Sequence, residues 1–371
     1  MSETSAVTLP VDHLVDLWPE RFSSPDFRLG ALLHSASVNA SLVTTLEVLE
    51  SELVDADKCQ LGALYGPQHG FDSTTQDNMI EWSGFTHPRL GVPVFSLYGK
   101  HREPTPEMLE PIDGLFVDLV DVGARYYTFI WTLFLCMKAC EKAGKPVIVA
   151  DRPNPINGVT TEGWPQQSDH LSFVGLHPIQ QRHAKTIGEL AVQFRDGMFP
   201  EVDLTVLSME GWDRTMFHDE TGLPWVLPSP NMPTLDTAIV YPGMCLLEAT
   251  NLSEGRGTTR PFELFGAPYI SDSAAFAAKL NRLDLAGVHF REASFLPTFQ
   301  KHHGEVCRGA QFHVSDRNEF RSLEATLEIL KLVREDYPGF AFNPPPYEYE
   351  TEKLPIEILL GKPVGDVFSI Q

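Results

Sequence analysis

The sequence predicts an α/β fold, a Rossmann-like parallel-sheet domain followed by a smaller α+β C-terminal domain. Three observations carry this. Short, almost continuously apolar runs alternate with helical spacing through the first two thirds of the chain. Strands buried on both faces read this way, because helices cover both sides of a parallel sheet. Residues 114–150 hold the clearest strand–helix–strand unit. The 371 residues also exceed what one typical core accommodates. The reading places the Rossmann-like domain at 1–265 and the smaller domain at 266–371.

Residues 1–27 read as a polar lead-in with a short amphipathic piece at 11–17. Residues 28–34 are a buried strand, 40–53 have helical spacing, and 60–65 are a second strand. The loop 66–92 is rich in Gly, Asp, Thr and His, and loops this long are uncommon unless functional. A third strand at 93–98 precedes a short helix at 105–109 with Pro106 at its start. Residues 114–120 are the fourth strand and 146–150 the fifth. Between them, 128–143 is a helix apolar nearly all round in its first half, hence buried, with Gly144 as its C-cap. A helix at 186–199 and a strand at 203–208 follow. In the smaller domain, 272–283 and 322–336 read as helices and 290–295 and 311–314 as strands. The proline-rich stretch from Asn343 is a loop, and 352–360 is a final short element.

Composition narrows the function. The net charge of −22 repels nucleic acid and anionic membrane surfaces. No apolar run approaches about eighteen residues. The N-terminus lacks a basic region followed by an apolar one, so no export signal is expected. The five cysteines are odd in number and include no Cys-x-x-Cys, which points to a reduced, cytoplasmic protein. There is no phosphate-binding glycine loop, no dinucleotide fingerprint, no His-Glu-x-x-His and no nucleophile elbow. No cofactor is expected. No histidine spacing argues for a metal, and His302–His303 reads as a solvated pair.

Ligands of open parallel sheets bind outside the carboxyl ends of the strands. The second strand is followed by Gly66-Pro-Gln68-His69-Gly70, the fourth by Asp121, Arg125 and Tyr127, and the fifth by Asp151, Arg152 and Asn154. Each end delivers acids, amides, imidazole or guanidinium. The bland reading of a lone Asp at such a place is a helix N-cap. It is strong for Asp121, which precedes a helix, and weaker for Asp151, which two prolines follow. Asp118, inside a strand, is either a buried hydrogen-bonded acid or a sign that one sheet face opens to solvent. The loop 251–263 packs Asn251, Glu254, Arg256, Arg260 and Glu263 into thirteen residues without periodicity. Residue types alone leave a binding loop and a structural loop with internal salt bridges evenly matched.

The segments 66–71, 96–100, 121–128, 151–155, 228–236 and 251–263 together resemble the exo-β-N-acetylmuramidase family, the YbbC/NamZ-like proteins. The matches spread from about residue 28 to the C-terminus. The resemblance implies a glycoside hydrolase that releases non-reducing-end N-acetylmuramic acid from peptidoglycan-derived disaccharides or short fragments. The partner is then a small amino-sugar substrate. In that family the first motif usually carries a glutamate where this chain has Gln68. An amide is neither a general acid nor a general base at neutral pH. The acid is then expected from Asp121, Glu248 or Glu254. The alternative is an amino-sugar-binding protein with impaired catalysis. His69 and Tyr127 are expected to orient or polarise the substrate. Asn154, Asn231 and Asn251 are candidates for ring hydroxyls or the N-acetyl group. Arg125, Arg152, Arg256 and Arg260 are candidates for the lactyl carboxylate, with at least one expected to pair internally, and Asp151 joins the binding set.

Overall fold

A computed structural model describes residues 7–368. The chain forms two compact units. One comprises Met1–Gly123, Tyr127–Val159 and Ala184–Pro230; the other comprises Ala124–Tyr126, Thr160–His183 and Asn231–Gln371.

The first unit is built on a seven-stranded sheet. Its strands are β1 (Arg28–Leu32), β2 (Gln60–Gly66), β3 (Phe85–Thr86), β4 (Pro93–Ser96), β5 (Gly114–Val117), β6 (Val147–Ala150) and β7 (Leu204–Leu207), in the order β3-β4-β2-β1-β5-β6-β7. All neighbours are parallel except the short edge strand β3, which runs antiparallel to β4. Without β3 the order is that of the doubly wound fold, and its reversal lies between β1 and β5. β5 and β6 are buried at every residue, which is why they read as continuous apolar runs.

The helices of this unit are α1 (Leu14–Leu17), α2 (Thr45–Leu49), α3 (Pro106–Leu109), α4 (Phe129–Ala143) and α5 (Ile187–Met198). Gly144 ends α4 in the left-handed region, at φ +64°. Thr186 and Glu189 form a capping box at the start of α5. The expected polar lead-in is different from residue 7 onward. Leu9, Val11, Leu14, Trp18 and Phe22 join Leu29, Leu64, Phe116 and Ile148 in one hydrophobic core. Residues 1–6 of that lead-in lie outside the described residues.

The second unit contains α6 (Leu235–Met244), α7 (Ser273–Asn281), α8 (Ser322–Asp336) and α9 (Pro355–Leu360). It also holds the antiparallel sheet β8-β10-β9, from β8 (Leu264–Ala267), β9 (Val288–Phe295) and β10 (Cys307–Val314). Phe290 meets Phe265 and Phe312 edge-on, Phe265 and Phe312 are tilted against each other, and Phe276 of α7 meets Phe265 edge-on. The main division falls at Asn231, whereas the sequence reading set it at 265. The reason is α6: its residues from Thr237 to Met244 are all buried, and it packs on α8 of the same unit. Among the described residues no helix is long and apolar enough to cross a membrane.

Candidate active site

In the Rossmann-like unit the candidates gather where the strands β1, β2, β5 and β6 end. After β2 the chain turns sharply. Gly66 has no room for a side chain, since a Cβ there would lie 2.8 Å from Phe71 N. His69 and Gly70 both take positive φ, +71° and +94°. A left-handed histidine is strained, and such strain gathers at functional positions. Trp82 donates from Nε1 to Pro67 O at 2.9 Å, so the long loop folds back onto the turn.

This turn presents Gln68 and His69, both buried. Thr128 Oγ1, just before α4, donates to Gln68 Oε1 at 2.7 Å. The Gln68 amide nitrogen is then the group left to meet a ligand. His69 Nδ1 lies 2.7 Å from Thr75 O. A carbonyl oxygen only accepts, so Nδ1 carries the proton and Nε2 of neutral His69 is a proton acceptor.

Two residues past β1 stands His34, which the sequence reading placed at a strand end and gave no role. Its Nε2 accepts from Val120 N at 3.0 Å, and its ring meets Phe129 edge-on at 4.7 Å. Burial, helped by the charge of Arg152, pulls its pKa down to about 3. His34 is therefore a neutral imidazole with its proton on Nδ1. A lone histidine closing an apolar strand looks like core, and nothing in the sequence distinguishes the two.

Asp121 and Tyr127 follow β5. Asp121 Oδ2 accepts from Gly123 N at 2.7 Å, holding the loop rather than capping α4. Gly123 takes φ +80°, and a Cβ there would strike Asn154 Oδ1 at 2.7 Å. Burial raises the Tyr127 phenol well above its ordinary range; a hydrogen bond with Ser229 opposes this and the Asp121 charge adds to it. Tyr127 is thus a hydroxyl donor at neutral pH.

Past β6 the side chains serve the fold. Asp151 Oδ1 accepts from Gly188 N at 2.8 Å and Arg152 N at 3.0 Å, and Oδ2 accepts from Thr186 Oγ1 at 3.0 Å. It caps the start of α5, a helix thirty-odd residues further on, which its proline-rich flank concealed. Burial raises its pKa to about 6 against these hydrogen bonds. Asn154 accepts from Ile156 N at 3.1 Å and donates to Lys185 O at 3.0 Å. Arg152 grips Asp118 through Nε and Nη2, and Nη2 also donates to Val38 O at 2.8 Å. Asp118 is therefore the buried, hydrogen-bonded acid, and Thr45 Oγ1 adds a further bond at 2.5 Å.

The second unit holds the remaining candidates. Arg125 is fully buried and donates to the carbonyls of Trp164, Ile179 and Leu359 at 3.1, 3.2 and 2.5 Å. Burial lowers its pKa to about 10, which still leaves it charged at neutral pH. Around Arg256 the charges interlock. Its Nη2 donates to Glu248 Oε1, and Nε lies 3.2 Å from Glu254 Oε1. Tyr347 OH donates to Glu248 Oε2 at 2.8 Å, and Lys301 Nζ donates to Glu254 Oε2 at 2.6 Å. Burial pushes the Glu254 carboxyl up, but Lys301 and Arg256 outweigh it and hold it ionised.

The rest of this loop is also tied internally. Asn251 bonds Gly339 O and Ala341 N at 2.7 and 2.9 Å. Arg260 pairs with Glu263 at 3.1 Å. Asn231 is buried. His302, read as solvated, binds Asn251 O through Nε2 at 2.7 Å. The loop 251–263 thus has the internal salt bridges that were one of its two readings. Among the described residues no three His, Cys, Asp or Glu side chains group to hold a metal.

Comparison with known proteins settles the family. A family model described as "Exo-beta-N-acetylmuramidase NamZ, N-terminal" matches residues 29–236, and its C-terminal counterpart matches residues 239–364. The chain belongs to the NamZ exo-β-N-acetylmuramidase family. It is 46% identical over 311 residues to the peptidoglycan β-N-acetylmuramidase NamZ of Bacillus subtilis (strain 168), covering 84% of this chain and 74% of that protein. A crystal structure of a DUF1343 family protein from Bacteroides fragilis NCTC 9343 superposes with a TM-score of 0.80 at 34% identity, covering 90% of this chain and 84% of that one. A second DUF1343 family structure from the same organism shares the fold, with a TM-score of 0.72 at 23% identity over 96% and 89% of the two chains. The two NamZ models meet between 236 and 239, close to the main division at Asn231.

Proposed function

We propose that this protein is a glycoside hydrolase that releases N-acetylmuramic acid from the non-reducing end of peptidoglycan-derived fragments. Membership of the NamZ family, at 46% identity to an enzyme named for that activity, carries the reading. Glycosidic cleavage needs a proton for the leaving oxygen and stabilisation of oxocarbenium-like charge. Within the Rossmann-like unit, Asp121 is the carboxylate we assign to that work. Asp118 is bound by Arg152, and Asp151 is occupied at the start of α5. His69, with Nε2 as acceptor, and Tyr127, as a hydroxyl donor, position the substrate. Glu254 is held ionised and Glu248 has a partner on each oxygen, so neither suits proton donation.

Gln68 favours one second reading, an amino-sugar-binding protein with little turnover. A chromogenic N-acetylmuramic acid β-glycoside separates the two. Release above buffer, with preference over the N-acetylglucosamine glycoside, supports the hydrolase. Saturable binding without release at high protein concentration supports the second reading.

A further inference from the structure

We propose that a small cavity in the Rossmann-like unit, lined by Val38, Val120, Arg152, His218, Leu223 and Trp225, receives the neutral 2-acetamido arm of the amino sugar. This subsite rests on the glycosidase reading above and specifies which substituent that site selects. The walls come from the segment after β1, the ends of β5 and β6, and the stretch from His218 to Val226. They meet at the reversal of strand order between β1 and β5, where ligands of this fold bind. Val120 also precedes Asp121 in the chain and donates its N–H to His34.

Size decides what enters. The cavity measures about 40 Å³, and one water needs roughly 10–15 Å³ on this measure. Its narrow part holds about three heavy atoms, the size of an acetyl group. Charge decides between the two arms of muramic acid. The walls are mainly aliphatic and aromatic, and Asp118 neutralises Arg152. A lactyl carboxylate would lose its hydration there without a net positive charge to meet it. An acetamido group brings a methyl for Val38, Val120 and Leu223 and a carbonyl oxygen for a donor.

A donor for that oxygen and an acceptor for the N–H are in place. Arg152 is only 8% exposed. Its Nε and Nη2 are fixed on Asp118 and Val38 O, and Nη1 makes no hydrogen bond among the described residues. His218 stands edge-on to Trp225, with ring centres 5.0 Å apart; backbone carbonyls of Leu223 and Pro224 engage its Nδ1, and its buried Nε2, without a hydrogen-bond partner among the described residues, is an acceptor for the acetamido N–H.

The test is calorimetric binding of N-acetylmuramic acid and its N-propionyl and N-unsubstituted analogues to the full chain. One extra methylene in a pocket this narrow costs about tenfold or more. We expect wild-type protein to bind the N-acetyl sugar at least about tenfold more tightly than either analogue. Leu223→Ala enlarges the cavity and should bring the N-propionyl sugar within about threefold of the N-acetyl one. Trp225→Phe is the second variant if Leu223→Ala fails to fold. Equal binding of all three sugars, no binding of any, or an acyl preference that a folded cavity variant leaves unchanged would overturn the subsite. Acyl-selective binding without cleavage of any glycoside fails the glycosidase reading and leaves the subsite standing. Cleavage with an acyl preference that ignores Leu223 does the reverse.

Discussion

Replacing Gln68 by glutamate probes the position at which the family resemblance implies a carboxylate. The side chain is 7% exposed, and Thr128 Oγ1 donates to its Oε1 at 2.7 Å. In the variant that hydroxyl can bond one carboxyl oxygen, which places the other where the amide nitrogen now lies. The change in shape is small, and the change in chemistry is the gain of an exchangeable proton. Burial favours the neutral carboxyl and the Thr128 bond favours the ionised one, so the two effects oppose each other. A positioned general acid or base contributes about 10²- to 10⁴-fold, roughly 3–5 kcal/mol of barrier. We therefore expect Gln68→Glu to raise kcat on a chromogenic N-acetylmuramic acid glycoside by about a hundredfold. KM should stay within about threefold, and the pH–rate profile should gain a limb that falls as pH rises and the new carboxyl loses its proton. Turnover at or below wild type, in a variant with unchanged thermal unfolding, would refute the proposal that Gln68 faces the scissile bond.

Other substitutions test the remaining assignments. His69→Ala and Asp121→Asn should each lower kcat by about 10²-fold or more while the unfolding midpoint moves little, by steady-state assay and thermal melts. Arg256→Met leaves Glu248 buried without its cation and Glu254 with Lys301 alone, so urea unfolding should show a loss of about 3–5 kcal/mol. Arg260→Ala, at a side chain 45% exposed, should cost no more than about 1 kcal/mol in the same experiment. Asp151 gives a signed pH effect. Its folded pKa is raised from 3.8 to about 6, so its protonated form favours folding. The contribution is fully present below about pH 4 and is lost as pH rises through 6, and the span corresponds to about 3 kcal/mol. Asp151→Asn should therefore flatten the stability profile between pH 4 and 6 and leave the protein at least as stable at pH 7.5. A steeper profile would contradict the assigned shift.

The elements legible in the sequence were those whose burial is uniform. β5 and β6 are buried at every residue, and α4 ends on a left-handed Gly144. α6 went unseen because burial on every side from Thr237 to Met244 erases periodicity, and Pro242 and Gly243 lie inside it. The domain division was set at 265 rather than 231 because α6 left no periodic signal, and the return of Ala124–Tyr126 and Thr160–His183 to the second unit is a chain crossing that no local pattern reveals. The motif segments 66–71, 96–100, 121–128 and 151–155 follow β2, β4, β5 and β6, but pairing inside the motifs was hidden. Arg256 reaches Glu248, Arg152 reaches Asp118, and Asp151 reaches the start of α5 across loops without a fixed period. Each of the four arginines considered for a carboxylate clamp turns out to be bound within the protein. His34 was passed over because its role depends on Val120 and Phe129, far away in sequence.

The most direct test of the hydrolase reading compares two disaccharides that differ only in order. Incubation with N-acetylmuramyl-β-1,4-N-acetylglucosamine, followed by mass spectrometry, should yield free N-acetylmuramic acid and N-acetylglucosamine in equal amounts. The reversed disaccharide, with N-acetylglucosamine at the non-reducing end, should remain intact. Recovery of both disaccharides uncleaved at high protein concentration, or cleavage of the reversed one alone, would contradict an exo-acting muramidase.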